Sequence, residues 1–384
     1  MMNANWNYPT AVRVGAGRVS EIDALCQESN ITAPLLVTDP GLASLPMTSQ
    51  IVSICEQSGL RIQVFSDIKP NPTGTNVDDG VAAYRAGGHD GVIALGGGSA
   101  LDAGKAVAVI ANQTCSVWDL EDVGDNWRNA DETKIAPVIA IPTTAGTGSE
   151  VGRASVIVHE AQQRKAIIFH PSMLPGLVLL DPELTVGLPK TLTAATGMDA
   201  LSHSLEAFCS PVYHPMAEGI AIEGIRLVKS WLPKAVADGE DMEARTQMLV
   251  ASSMGATAFQ RGLGAMHALA HPLGAIYDAH HGMLNAILMP YVLRANRGAI
   301  APVIERLCGY LQITGGFDGF LQWVLDLREQ LDIPHDLQAI GIDDNRADEL
   351  GEMAVEDPSA GTNPILHDAR AYRDIVVDAV RGNL

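Results

Sequence analysis

Short apolar runs alternate with helical segments through the first half of the chain, and this alternation constrains the fold more than any other feature. Pro34-Leu35-Leu36-Val37-Thr38 reads as a buried strand ending at Asp39, and Arg61-Ile62-Gln63-Val64-Phe65 as a second. Gly91-Val92-Ile93-Ala94-Leu95 is a third, running directly into glycines, and Pro137-Val138-Ile139-Ala140-Ile141 a fourth. Helical spacing lies between them, for example over 75–86 and 100–110. Apolar strands separated by helices predict a parallel sheet covered on both faces.

The pattern changes near residue 187. Apolar residues then recur at helical spacing over 190–208, 217–236, 243–259 and 302–311, and strand-like alternation is scarce. Gly187-Leu188-Pro189 marks the boundary, because proline suits the start of a helix. The expectation is a Rossmann-like α/β domain over 1–187 and an all-helical domain over 188–384. A length of 384 residues suits two such domains.

Composition narrows the function. Hydrophobic residues make up 47% of the chain and charged residues 18%, so a large core is available and disorder is not expected. The net charge of −20 would repel a phosphate backbone, which argues against nucleic acid as a partner. Five scattered cysteines without a CxxC pair suit a reducing compartment rather than a disulfide framework. The opening MMNANWNYPTAVRVG lacks the basic-then-apolar order of an export signal, and no run of about 18 apolar residues would span a membrane. A cytoplasmic enzyme is the expectation.

Two loops suit phosphate. Gly96-Gly97-Gly98-Ser99 follows a strand and opens a helix, where close backbone approach and free N–H groups favour an anion. Ser99 can add its hydroxyl or cap the helix. Pro142-Thr143-Thr144-Ala145-Gly146-Thr147-Gly148-Ser149-Glu150 follows another strand and is rich in hydroxyl donors. Asp39, at the end of the first strand, can accept hydrogen bonds from a ribose and would repel a 2′-phosphate. It precedes the glycines, the reverse of the usual dinucleotide fingerprint, and the following Pro40-Gly41 also suits a plain turn.

The helical half holds the metal-type residues. Asp199 and His203 are four apart, which sets both on one helix face, and His267 and His271 repeat the spacing. His280-His281-Gly282 follows. Imidazoles with one carboxylate suit Fe(II), Zn(II) or a similar ion, with His280 and His281 both open as the last ligand.

Together GGGSALDAGKAVAV, IPTTAGTGSE, ATGMDALSHSLEAF and MHALAHPLGAIYDAHHGMLNA resemble the iron-containing (group III) alcohol dehydrogenase family in order, separation and total length. The resemblance implies a dehydroquinate synthase-like architecture, in which a dinucleotide-binding domain precedes a helical metal-binding domain. It implies Asp199, His203, His267 and His281 as ligands of one divalent ion, Fe(II) ahead of Zn(II). His281 is preferred over His280 because it directly precedes the glycine of His-Gly-x-x-Asn. Contacts to NAD, in preference to NADP, are implied for Asp39, Asn71, Gly97, Gly98, Ser99, Asp102, Thr143, Thr144 and Lys165. His271 corresponds to a histidine beside the metal that relays a proton. The family commonly forms dimers or larger homo-oligomers.

After Gly148-Ser149-Glu150, many members read Val-Thr-x-x-Asn, whereas this chain has Val151-Gly152-Arg153-Ala154-Ser155. That segment, with residues 192–199 and 258–264, resembles the 4-hydroxybutyrate dehydrogenases, which reduce succinic semialdehyde. Arg153 is then the candidate for pairing a substrate carboxylate, and an interdomain or surface ion pair is its alternative role. The competing functions are a general short-chain alcohol or diol dehydrogenase and a non-catalytic nucleotide- or metal-binding protein.

Overall fold

The computed structural model describes residues 10–162 and 164–384. The stretch over 1–9, which carries most of the expectation of no export signal, lies outside the described residues. Contacts divide the chain into two compact units, with the division between Gly187 and Leu188.

The first unit is built on strands β1 (Ala11–Val14), β2 (Pro34–Val37), β3 (Gln63–Phe65), β4 (Gly91–Gly96), β5 (Val138–Pro142) and, further along the chain, β8 (Leu177–Leu180). All six are parallel, in the order β1-β8-β5-β4-β2-β3. The connecting helices are α1 (Ile22–Glu28), α2 (Pro40–Ala43), α3 (Pro46–Gln57), α4 (Gly74–Gly87) and α5 (Gly98–Ile110). The central strands β2, β4, β5 and β8 are buried along their whole length, as expected of runs covered on two faces. Strands β6 (Ala154–His159) and β7 (Arg164–Phe169) form a separate antiparallel pair.

The strand order resolves the reversed placement of Asp39 and the glycines. β2 pairs with β4, in register from Pro34 opposite Gly91 to Val37 opposite Ala94. From β2 the chain proceeds outward to β3, and from β4 it proceeds the other way to β5. The carboxyl ends of β2 and β4 therefore flank a topological switch point, where open α/β sheets bind ligands. Asp39 and Gly96-Gly97-Gly98 follow those two ends.

Asp90, just before β4, fastens the start of β2. Its carboxylate accepts from Thr32 N (3.0 Å), Thr32 Oγ1 (2.5 Å) and Ala33 N (2.7 Å). Burial opposes its charge, yet the bonds from Thr32 and Ala33 outweigh that and hold its pKa below the ordinary carboxylate value. Asp90→Ala is expected to destabilise the first unit by about 2–3 kcal/mol at neutral pH. Because the native pKa lies below the unfolded one, the stabilisation is complete above about pH 4 and is lost as pH falls through the native value. Chemical denaturation of both proteins across acid pH checks this, with the difference shrinking toward low pH.

The second unit consists of helices α6 (Lys190–Cys209), α7 (Pro215–Ala237), α8 (Met242–Ala258), α9 (Ala265–Tyr277), α10 (His281–Leu311), α11 (Gly316–Gln330), α12 (Ala347–Glu356) and α13 (Ala369–Arg381). α6 packs against α7, α8 and α10 and is buried from Thr193 to Phe208. A helix buried on all sides is normally apolar throughout. Asp199, Ser202, His203, Ser204 and Glu206 break that rule within two turns, and uncompensated polar groups at such depth are costly. Among the described residues, no helix is long and apolar enough to cross a membrane.

Candidate metal centre and dinucleotide loops

Three helices carry the candidate ligands. Asp199 and His203 lie on α6, His267 lies on α9, and His281 opens α10. Gly282 permits the last placement, since a Cβ there would sit 2.4 Å from the Ala195 carbonyl oxygen of α6. α10 thus reaches the α6 backbone one turn before Asp199.

Asp199 Oδ1 lies 4.0 Å from His203 Nε2, 4.0 Å from His267 Nε2 and 3.7 Å from His281 Nε2. The ligand atoms of Asp199, His203 and His267 lie within 4.8 Å of one another, and these three residues are no more than 5% exposed. The rings of His203 and His267 stack at 4.8 Å. Burial, with the neighbouring His203 second, holds the His267 pKa well below the ordinary histidine value, which suits a neutral ligand.

Two further residues fix where the nitrogens point. Glu206 Oε2 accepts from His267 Nδ1 at 2.6 Å, which leaves Nε2 with a lone pair. Glu206 also accepts from Gly264 N at 2.9 Å and Met266 N at 2.7 Å. Burial pushes its carboxyl up to about 7, against the pull of those main-chain donors. Asn285 Nδ2 donates to Asp199 Oδ1 at 2.8 Å and lies 3.2 Å from both His267 Nε2 and His281 Nε2. Asn285 Oδ1 and His203 Nδ1 are buried without a hydrogen-bond partner. One carboxylate with three converging imidazole nitrogens is a donor set that suits a divalent cation.

Neither Glu206 nor Asn285 is among the sequence candidates. Both were accessible by helical period, because Glu206 follows His203 by three positions and Asn285 follows His281 by four. His271 Nδ1 bonds Asp357 Oδ2 at 2.8 Å, and its ring stacks on His281 with centroids 5.4 Å apart. Burial disfavours the Asp357 charge, but hydrogen bonds from His271 and Ser359 outweigh it and lower its pKa. His280 caps α10 by accepting from Met283 N at 3.4 Å.

The dinucleotide candidates all lie in the first unit. A Cβ on Gly96 would lie 3.6 Å from Asp39 Oδ2, one on Gly97 3.5 Å from Thr144 Oγ1, and one on Gly98 2.7 Å from Thr147 Cγ2. Asp39 also caps α2 by accepting from Leu42 N at 3.0 Å. No side chain caps α5, so its first N–H groups are open to an anion. Ser99 departs from the expectation of a cap. It lies inside α5, and its hydroxyl donates to the Pro70 carbonyl, next to Asn71. Thr143 is buried and its N–H donates to Gly96 O at 3.0 Å. Lys165 pairs with Val158 across β6–β7, and Val158 N holds Pro72 O at 2.8 Å. Asp102 is engaged by the chain itself, accepting from Ser149 Oγ at 2.5 Å and Val156 N at 2.9 Å. The Arg153 guanidinium lies 5.6 Å from the Phe169 ring centroid, and its charge acts on Asp122.

A parallel sheet with anion-receptive loops at its switch point, followed by a helical unit with a buried carboxylate–imidazole centre, has the parts of a nucleotide- and metal-binding enzyme. The chain belongs to the iron-containing alcohol dehydrogenase family. Residues 9–182 match the profile "Iron-containing alcohol dehydrogenase", and residues 193–380 match "Fe-containing alcohol dehydrogenase family, C-terminal". The 4-hydroxybutyrate dehydrogenase of Cupriavidus necator is 38% identical over 377 residues, covering 95% of this chain and 97% of that protein. The crystal structure of a 1,3-propanediol oxidoreductase superposes with a TM-score of 0.93 at 32% identity, covering 98% of this chain and all of that one. Sulfoacetaldehyde reductase from Bifidobacterium kashiwanohense, solved in complex with NAD+, superposes with a TM-score of 0.88 at 29% identity, covering 98% and 99% of the two chains.

Proposed function

We propose that this alcohol dehydrogenase is linked to NAD(H), uses one Fe(II) ion, and interconverts a small ω-hydroxy acid and its aldehyde, with 4-hydroxybutyrate and succinic semialdehyde as the first pair. The convergence of Asp199, His203, His267 and His281 carries the reaction class. The identity to the Cupriavidus necator enzyme supports the substrate class. Zn(II) suits the same donors and is the alternative ion.

Asp199, His203, His267 and His281 are the ligands in this reading. When bound, the ion supplies Lewis-acid polarisation of the substrate oxygen, and the nicotinamide supplies or accepts the hydride. Glu206 keeps the His267 Nδ1 proton, so that Nε2 faces the centre. Asp357 holds the His271 proton at Nδ1 in the same way, leaving Nε2 to accept the alcohol proton or return it to the aldehyde. The N–H groups at the start of α5 receive the diphosphate, and Asp39 receives the ribose hydroxyls. The family's habit of forming homodimers or larger homo-oligomers is carried over as part of the proposal, as is a cytoplasmic setting.

Asp39 decides the cofactor in this account. The wild type is expected to use NADH at least about tenfold better than NADPH, because a 2′-phosphate would meet the Asp39 carboxylate. Asp39→Gly narrows that ratio. Steady-state rates with both cofactors check it, and a wild-type preference for NADPH would overturn the assignment.

Arg153 is the substrate probe. Arg153→Ala is expected to lower kcat/KM for succinic semialdehyde by about 10- to 100-fold relative to butanal, the loss of a charge-assisted bidentate bond. An equal effect on both aldehydes would show that the guanidinium serves its Phe169 contact alone. Turnover of short alcohols or diols with no preference for the ω-hydroxy acid would favour a general alcohol dehydrogenase. Tight NADH binding with no turnover of any aldehyde would favour a sensor.

A further inference from the structure

Lys105 is a fully buried cation that neither the metal centre nor the dinucleotide contacts use. It lies on α5, two turns beyond the glycines, and is 1% exposed. Its ammonium donates to Ser149 O at 3.0 Å and to Ala154 O, and it lies 3.3 Å from Asp102 Oδ1. All three of its protons are thereby directed to oxygen. Asp102 reaches the same segment from the preceding turn of α5, through Ser149 Oγ at 2.5 Å and Val156 N at 2.9 Å. A buried lysine and a partly buried aspartate thus grip both ends of the stretch from Ser149 to Val156. Burial pushes the lysine pKa down, and the carboxylates of Asp102 and Glu150 push it back up.

That stretch directly continues the loop whose threonines cover the glycines. Thr147 packs so closely over Gly98 that a Cβ there would lie 2.7 Å from Thr147 Cγ2, and Thr144 is the nearest neighbour of Gly97. Ser149 N also donates to Thr147 Oγ1 at 3.3 Å, which couples the gripped segment to the threonine. The spacing between the α5 N–H groups and the threonine hydroxyls therefore depends on where Ser149 is held.

We infer that Lys105 is a positioning residue for the dinucleotide: with Asp102 it staples the 149–156 segment to α5 and so sets the distance between the glycine turn and the Thr143–Thr147 hydroxyls. This rests on the reading of those loops as the NAD(H) site. It also gives Asp102 a positioning role beside any contact with the cofactor, since both of its oxygens hold donors of the chain. Holding a loop in its bound arrangement raises affinity by lowering the ordering cost of binding.

The test compares Lys105→Met, Ser149→Ala and the double variant Lys105→Met/Asp102→Asn with the wild type, each as full-length, metal-loaded protein. NADH affinity is read by fluorescence titration, and stability by thermal melting. Lys105→Met is expected to weaken NADH binding about tenfold or more, raise KM for NAD far more than it lowers kcat, and leave metal content unchanged. It also leaves the partly buried Asp102 carboxylate without its cation, so melting falls. The double variant removes that charge. It should regain most of the melting temperature while its NADH binding stays weak, a split that a purely structural lysine would not produce. Ser149→Ala, which keeps the ion pair, should weaken binding by a smaller factor without a large loss of stability. Wild-type NADH affinity in a folded Lys105→Met protein, or recovery of affinity together with stability in the double variant, would overturn the inference. Failure of the wild type to bind NADH would instead overturn the reading of the loops.

Discussion

His267→Ala is expected to remove bound metal and activity together, lowering kcat by about a thousandfold or more. The residue is 1% exposed, and its Nε2 is one of the lone pairs directed at Asp199. Truncation leaves the Glu206 carboxyl without its imidazole donor, in a pocket that already disfavours its charge. Elemental analysis and aldehyde reduction on the same sample check this. The informative contrast is His271→Ala, which should lose rate while keeping metal, because His271 is tied to Asp357 and stacks on His281 rather than joining the cluster. Equal metal loss in both variants would mean that His271 belongs to the ligand set.

Glu206→Ala is expected to have the largest combined effect away from the ligands. It strips the acceptor from Gly264 N, Met266 N and His267 Nδ1 at once, all in the buried core. Each buried donor left unpaired costs about 1–3 kcal/mol, so the helical unit should lose several kcal/mol. Metal affinity should fall by about 10- to 100-fold, since the His267 ring is no longer held with Nε2 toward the centre. Competition with a chelator measures the affinity, and denaturation of the metal-free protein measures the stability. Unchanged metal affinity in a destabilised variant would reduce Glu206 to a packing role.

Much of this was legible in the sequence, but unevenly. β2, β4 and β5 stand within a residue of their expected bounds, because buried parallel strands read as plain apolar runs. β8 is equally apolar, yet a four-residue run between Pro175-Gly176 and Pro182 reads as well as loop, and only its pairing with β1 and β5 defines it. β1 and the β6–β7 pair, with mixed exposure, are also absent from the sequence expectations. α10 shows the opposite difference. The helix expected from 302 begins at His281 and passes through Pro290 and Pro302. A proline removes one backbone bond, and continuous burial from Leu284 to Leu293 holds the helix across the first of them.

The candidate site divides in the same way. Asp199 and His203 follow from helical spacing, but their meeting with His267 and His281 is tertiary and came from the family pattern. Glu206 and Asn285 obey the same spacing from His203 and His281, yet polar residues on buried helices gain meaning only when their partners are known. Asp39 looked misplaced because linear order was compared with a fingerprint, whereas the sheet sets β2 beside β4. Asp102 and Lys105, in the glycine motif, hold the chain's own Ser149 hydroxyl and carbonyl, a contact that linear spacing does not show.

Metal titration of the stripped enzyme reads how turnover depends on the bound ion. Chelator-treated protein is loaded anaerobically with Fe(II), in parallel with Zn(II), while NADH-dependent reduction of succinic semialdehyde and bound metal are followed together. Activity is expected to be negligible at the start, to rise in proportion to bound Fe(II), and to level off at one ion per chain. Full turnover by the stripped protein, with metal far below one ion per chain, would contradict it.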